Sequence, residues 1–440
     1  MRGVIPSAAL LTPSMGFVAA YRGGMAEKEK TQPLPVVSQV FGTTIVELVY
    51  DHETRTTAFF AAENGRWSRV ADFVAPDGQR LVPYSASNNL IAHECVTLAS
   101  EPASPGDTAQ LLDDIAGYLR RYVDFSPLFE RIAAHYILLS WVYDAFNEIP
   151  LLRLRGAFGS GKTRALIALG SIAYKGFFSS GASTVSPIFH TLDRFGGTLL
   201  LDEADLRFSD KTVDLVKILN NGTVRGLPVL RTLQNRNREF NPAAFSVYGP
   251  KIVAMRGTFR DQALESRFIT EQMGQRPLRA DIPIQLPHTL RHEALALRNR
   301  LLGFRFEQLF SVAIKPDRAV AGIDPRLNQM ALPLLSLADD VRLREDMAVM
   351  LHDRSAALAA DREENPEARV AAALTLAFAA GATIVPLHEL ARRANADSLG
   401  SDLSSRDIGR ILRGLSVPLR KSHGTIVAVR TRAPAALTAS

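Results

Sequence analysis

The 440-residue chain has one cysteine, two tryptophans and an aromatic content of 8%. The single Cys95 excludes an internal disulfide, which fits a reducing cytoplasm. A small buried apolar residue is the plain expectation for it. Clean apolar runs are also missing. Residues 132–143 contain His135, and Asp144 and Asn147 follow; residues 371–387 are broken by Gly381 and Pro386. A membrane span needs about twenty clean apolar residues, so no membrane association is expected. His52, His93, His135 and His190 lack metal-ligand spacing with other His, Cys or carboxylates, which leaves them as ordinary surface or core histidines. No internal repeat is visible. Near the N-terminus, Pro6, Pro13 and Gly16 break the apolar stretch after Arg2, so a signal peptide has little support. Met25, followed by Ala-Glu-Lys-Glu-Lys, reads as a more natural start, and residues 1–35 read as a disordered or mis-called extension.

What is present points to a multi-domain globular protein. Hydrophobic residues make up 47% and charged residues 22%, ordinary values for a soluble fold. The net charge of +6, with arginine far outnumbering lysine, mildly favours a polyanionic partner. Residues 36–100 read as a small β-rich domain. "TTIVELVYD" (43–51) and "TRTTAFFAA" (54–62) have hairpin spacing, and "PDGQ" (76–79) has turn chemistry. "EPASPGD" (101–107) reads as a linker. Residues 108–148 have helical periodicity, with Leu111, Leu112, Ile115 and Leu119 on one face. Strands and helices then alternate over 151–270, the pattern of a parallel α/β sheet. A helical lid follows over 276–362, and a small module over 363–440.

The chemistry concentrates in "LRLRGAFGSGKTRAL" (152–166). An apolar strand, Gly156-Ala-Phe-Gly-Ser-Gly161-Lys162-Thr163 and a helix give GxxxxGK[ST] in the strand–loop–helix context it requires. Gly156, Gly159, Ser160 and Gly161 would present backbone amides to phosphate oxygens at a helix N-terminus. Lys162 would reach the β- and γ-phosphates, and Thr163 would hold Mg²⁺. Forty residues after Lys162, "GGTLLLDEAD" (196–205) is an apolar strand ending in acids. Asp202 would coordinate Mg²⁺, and Glu203 would polarise the attacking water. The tetrapeptide DEAD also occurs in DEAD-box RNA helicases. Those need a second α/β domain and a Ser-Ala-Thr motif; no such motif occurs here.

A further buried strand, Lys251–Met255, should end near the γ-phosphate, with Arg256 or Thr258 as the sensing polar residue. Arg267, after "ALES", could reach the γ-phosphate of a neighbouring subunit; the bland alternative is a surface arginine paired with Glu265 or Glu271. Arg260 is a weaker candidate. The stretch 219–245 carries Arg225, Arg231, Arg236 and Arg238 with few acids. It reads either as a solvated β-hairpin or as a basic hairpin facing nucleic acid.

"GSGKTRALIALG", "TVSPIFHTLD", "GGTLLLDEADL", "ILNNGTVRG", "YGPKIVAM" and "DQALESRFI" occur in the order seen in a family of phage- and mobile-element-associated P-loop ATPases. That family is related to primase-linked and superfamily-three-like replicative helicases of the AAA+ group. The chain resembles it over about 105–310. The resemblance implies an ASCE-type ATPase core using ATP and Mg²⁺, with a tendency to form rings. It implies roles for Lys162, Thr163, Asp202, Glu203 and Arg267. No primase motif is present, so priming is not implied.

In the C-terminal module, "VPLHELARRANAD" (385–397) reads as a strand edge then a helix. "LSSRDIGRILRGL" (403–415) reads as a second helix capped by Ser404 or Ser405, and "VPLRKSHGTIVAVR" (417–430) as a hairpin turning at His423-Gly424. Ile408, Ile411, Leu412 and Leu415 share one face; Arg406, Arg410 and Arg413 share another. Residues 401–432 hold seven Lys/Arg, among them Arg420 and Lys421, against two Asp. This order suggests a winged helix with its second helix in a DNA groove, or else one that docks protein.

The expectation is therefore an α/β chain in four parts. A P-loop NTPase parallel-sheet core over 105–275 is preceded by the β-rich domain and followed by the helical lid and winged-helix module. The functional expectation is a cytoplasmic, DNA-dependent, helicase-like or DNA-remodelling ATPase acting as a homo-oligomer, with a hexameric ring as one form. A nucleotide-switched DNA-binding regulator and a protein-remodelling or loader ATPase are the alternatives.

Overall fold

The computed structural model describes residues 32–180, 183–202, 210–234, 240–259, 261–363, 365–396, 402–422 and 425–430. The N-terminal extension, Glu203, Arg236, Arg238, Arg260 and the His423-Gly424 turn lie outside the described residues. The chain divides into two compact units, Met1–Ala348 and Val349–Ser440.

The first unit begins with β1 (Leu34–Val36), β2 (Ser38–Phe41), β3 (Thr44–Asp51), β4 (Thr56–Glu63), β5 (Arg66–Val70), β6 (Phe73–Val74) and β7 (Arg80–Pro83). β2 to β5 form an antiparallel meander, and β1-β7-β6 a second small sheet. The β3–β4 turn is longer than the sequence spacing suggested. Asp51 Oδ1 accepts from the backbone N–H groups of Glu53 (2.9 Å) and Thr54 (3.2 Å), and Arg55 turns at φ +53°. Cys95 corrects an expectation. It follows the short helix α1 (Asn89–Ala92) and the positive-φ residue Glu94, and is exposed rather than buried, because the chain turns outward there.

Residues 108–148 are not one helical run but α2 (Thr108–Tyr122) and α3 (Pro127–Trp141), followed by a single 3-10 turn. Asp107 caps α2, and the Ser126-Pro127 pair starts α3 afresh. Leu111, Ile115 and Leu119 are fully buried, while Leu112 is only partly so. The linker before α2 is held in place: Ala103 N–H donates to Asn299 O at 2.8 Å, and Arg300 Nη2 to Pro105 O at 3.0 Å.

Next come β8 (Leu151–Arg155), α4 (Lys162–Ile172), β9 (Phe177–Ser179), α5 (Val185–Phe195), β10 (Leu199–Leu201), α6 (Asp210–Asn221), β11 (Val229–Gln234), β12 (Phe240–Phe245), β13 (Lys251–Met255), α7 (Gln262–Glu265) and β14 (Phe268–Gln272). β14-β8-β13-β10-β9 form a five-stranded, all-parallel sheet. Such a sheet needs both faces covered. Gly170 of α4 approaches Leu200 so closely that a Cβ would overlap it. Leu199 and Leu201, pointing the other way, share a core with Ile188 and Leu192 of α5 and Leu215 of α6. Val46, Leu48 and Phe59 join the same core, so the β-rich segment is packed onto the sheet. This mixed α/β architecture is consistent with a P-loop NTPase core.

The unit continues with α8 (Thr289–Gln308), α9 (Pro325–Leu337) and the first residues of α10 (Val341–Glu363). α8 joins a buried charge cluster. Glu47 Oε1 accepts from Arg305 Nε (2.8 Å), its Oε2 pairs with Lys175 Nζ (2.8 Å), and Arg305 forks onto Asp144 at 2.7 and 2.6 Å. Two carboxylates and two cations balance, which is the condition for charges inside a core.

The second unit holds α11 (Pro366–Ala379), β15 (Ile384–Pro386), α12 (Leu387–Asn395), α13 (Ser405–Gly414), β16 (Leu419–Ser422) and β17 (Thr425–Val429). Its antiparallel sheet runs β15-β17-β16. Val370, Leu374, Leu390, Ile408, Leu412 and Ala428 form its core. Ser404 caps α13 through a capping box with Asp407. Among the described residues no helix is long and apolar enough to cross a membrane.

Candidate nucleotide-binding site

The glycine-rich loop joins the C-terminal end of β8 to the N-terminus of α4. Gly159 (φ +76°) and Gly161 (φ +87°) adopt conformations that L side chains resist, so the loop can coil tightly. No side chain caps α4. Its first N–H groups therefore lack the usual internal acceptor and suit an anion. Lys162 Nζ donates to Gly156 O at 2.8 Å and to Ala157 O at 2.7 Å, so the ammonium lies across the mouth of the loop.

Asp202 follows β10, where its N–H donates to Ser179 O of β9 at 2.9 Å. Its Oδ2 accepts from Thr163 Oγ1 at 2.8 Å. Two residues 39 positions apart thus meet at the C-terminal edge of the sheet, where open α/β sheets bind ligands. A hydroxyl and a carboxylate are the hard oxygen donors that Mg²⁺ prefers, so the pair fits that ion. Among the described residues no cluster of three or more His, Cys, Asp or Glu could hold another metal.

β13 lies between β8 and β10, which puts its C-terminal end between Lys162 and Asp202. Arg256, Gly257 and Thr258 follow that end and are exposed. Thr258 is thus at the expected edge of the sheet, three residues past Met255.

The segment after β14 is a wall of the site that sequence reasoning missed. A Cβ on Gly156 would lie 2.6 Å from Met273 O, and one on Gly274 2.8 Å from Ser160 Cβ. Arg164, next to Thr163, donates to Ile284 O, and Arg276 Nη2 donates to Phe125 O at 2.6 Å. The signal was a glycine one residue after a strand-like run, weak in isolation.

Arg267 sits at the start of β14, its carbonyl accepting from Leu151 N–H. It is therefore at the N-terminal edge of the sheet, a five-residue strand away from the loop, or about 17 Å. It pairs with neither Glu265 nor Glu271. Glu265 holds buried Arg153 at 2.5 Å, and Glu271 accepts from Ser126. Arg267 donates instead to Asn220 O and, at 2.5 Å, to Thr223 Oγ1.

The basic residues separate into two groups. In the first unit, 229–245 does form an antiparallel hairpin, β11–β12. Arg225 is turned into the fold: it donates to Asp144 O and Phe146 O and lies over the Tyr248 ring, so backbone carbonyls occupy its fork. Arg231 pairs with Asp214 at 2.9 Å over the Phe189 ring. In the second unit, Arg406, Arg410 and Arg413 are exposed along α13, and Arg420 and Lys421 are exposed on β16. Arg410 pairs with Asp407 (2.9 Å), and Arg413 Nε donates to Gly409 O.

No protein-family model and no curated protein matches this chain. Solved structures similar to it include the NrS-1 C-terminal region, at 12% identity and TM-score 0.35, covering 87% of this chain and 96% of that one. A full-length MCM homologue from Methanopyrus kandleri matches at 12% identity and TM-score 0.37, over 69% of each chain. The JCV helicase matches at 16% identity and TM-score 0.23, over 56% of this chain and 61% of that one. At this distance none of them assigns a role to a residue here.

Proposed function

We propose that the chain is an ATP-binding and ATP-hydrolysing P-loop ATPase, a DNA-dependent, helicase-like or DNA-remodelling motor of phage or mobile-element type. The observation that carries this reading is the Thr163–Asp202 hydrogen bond beneath an uncapped, glycine-rich helix start. Gly156, Gly159, Ser160 and Gly161 bind the phosphates through backbone amides. Lys162 leaves its loop carbonyls for the β- and γ-phosphates. Thr163 and Asp202 hold Mg²⁺, which neutralises charge on the phosphate oxygens. Glu203, the next residue after Asp202, orients and polarises the attacking water. Thr258 senses the γ-phosphate. Arg267, too far from the loop of its own chain, acts on a neighbour's nucleotide, which requires a homo-oligomer such as a hexameric ring.

The DNA reading rests on the second unit. Its helix, strand, two helices and hairpin are the order of a winged helix, with α13 offering Arg406, Arg410 and Arg413 to the major groove and β16 offering Arg420 and Lys421 to the backbone. Arg231 on the β11–β12 hairpin is a secondary contact, and Arg225 drops out of the surface. Such a motor acts in the cytoplasm.

Paired substitutions test the site. Lys162→Ala should abolish nucleotide binding or hydrolysis. Glu203→Gln should bind ATP like the parent and not turn it over. Normal turnover by Glu203→Gln would overturn the assignment of the water-activating residue. Tight ATP binding with negligible turnover by the unmodified chain would favour the nucleotide-switched regulator.

A further inference from the structure

We propose that Arg326 works beside Arg267 as a second guanidinium for the terminal phosphate of ATP bound to another copy of this chain. The inference rests on the ATPase reading above. Arg326 lies in the first turn of α9, after the Asp324 cap. One helical turn on, Gln329 Nε2 donates to Glu148 Oε1 at 2.6 Å, which fixes this face of α9 against the chain entering β8. Glu148 bridges to Val224, next to the Thr223 that accepts from Arg267. Arg326, Glu148 and Arg267 thereby gather at one edge of the fold.

Arg267 and Arg326 share this corner with Glu148, and the carboxylate of Asp261, which accepts from Asn220 Nδ2 at 2.8 Å, also acts on Arg267. The side chain of Arg326 is exposed and has no hydrogen bond or ion pair among the described residues. Arg267 is half-buried, and its Nε is a buried donor with no partner. Burial, then the charge of Arg326, pulls the Arg267 pKa below its ordinary value; burial pushes that of Glu148 up. A corner that gathers two guanidiniums and leaves the Arg326 fork and the Arg267 Nε without a partner favours an incoming anion. The loop of the same chain is a strand's length away, so the phosphate that fits is one carried by a second copy.

The test mixes variants of the full chain. Arg326→Ala should lower kcat on the order of 10²-fold, as loss of one transition-state donor does, with ATP affinity unchanged. Arg326→Lys, which keeps the charge and loses the fork, should fall between. Mixing equal amounts of Arg326→Ala and Lys162→Ala should restore activity, because about one quarter of the interfaces in a random assembly then pair an intact loop with an intact Arg326. A double variant, Lys162→Ala with Arg326→Ala, should restore nothing. Two results would overturn the proposal: wild-type kcat in Arg326→Ala, or a mixture no more active than its parents. If the parent chain turned over no ATP, the ATPase reading would fall too, so the two failures are distinguishable.

Discussion

Gly156 must be glycine for a steric reason the sequence motif alone does not give. Its missing Cβ is where Met273 O and Ser160 Oγ already are. Gly156→Ala should therefore weaken ATP binding by about tenfold or more, as the loop shifts away from the β14 end. Titration of the variant with a fluorescent nucleotide analogue checks this; unchanged affinity would contradict it. Lys251 makes a different residue-scale prediction. It is fully buried, and its Nζ donates to Gly222 O (2.9 Å), Val247 O (2.8 Å) and Gly249 O (2.8 Å) with no carboxylate beside it. Burial pushes its pKa down to about 7. The unfolded chain then binds more protons than the folded one between about pH 7 and 10.4, so this residue makes stability rise with pH across that window. The contribution is absent below the folded pKa and complete above the unfolded one. Lys251→Met should flatten the rise, read by urea unfolding at pH 7 and pH 9.5. An unchanged slope would mean that Lys251 does not titrate there.

At the scale of elements, the buried Glu47–Arg305–Asp144–Lys175 cluster ties β3, the end of α3, the α4–β9 turn and α8 together. Arg305→Met leaves buried Glu47 and partly buried Asp144 short of a partner and should cost about 3–5 kcal/mol, seen as a lower urea midpoint. A change below about 1 kcal/mol would mean the cluster contributes little. On α13, each of Arg406→Ala, Arg410→Ala and Arg413→Ala should weaken duplex DNA binding and lower the salt-dependence slope by about one where the contact is to phosphate. No change in all three would remove α13 from the DNA surface.

The elements also show what the sequence made legible. β10 is an unbroken apolar run and β13 is one after Lys251, as expected of parallel strands buried on both faces; β8 was legible despite the buried Arg153 because the glycine-rich motif follows it. α13 stood out because Ser404 and Asp407 form a capping box before Ile408 and Leu412, both fully buried. The Thr163–Asp202 meeting was implied by motif spacing. Long-range contacts outside that motif pair were not legible. The break at Ser126-Pro127 is a local signal overridden by the strong periodicity on either side. Arg225 reads as basic surface until Tyr248 and two backbone carbonyls, each far off in the chain, are seen to receive it. The wall at Met273–Gly274 depends on β14 pairing with β8, which no local pattern encodes.

In the whole molecule, the candidate nucleotide site lies at one edge of the parallel sheet and Arg267 at the opposite edge. On the proposed function, such a chain would hydrolyse ATP only where copies meet. Activity per chain should therefore rise with protein concentration and level off as assembly completes; rates strictly proportional to concentration throughout would point to a self-sufficient monomer. The most direct test of the central claim is ATP hydrolysis by the purified full chain, alone and with single-stranded or duplex DNA, at two salt concentrations. The expected result is hydrolysis that DNA stimulates, a stimulation that weakens as salt rises, and its loss in Lys162→Ala. No hydrolysis under any of these conditions, or equal hydrolysis by Lys162→Ala, would contradict it.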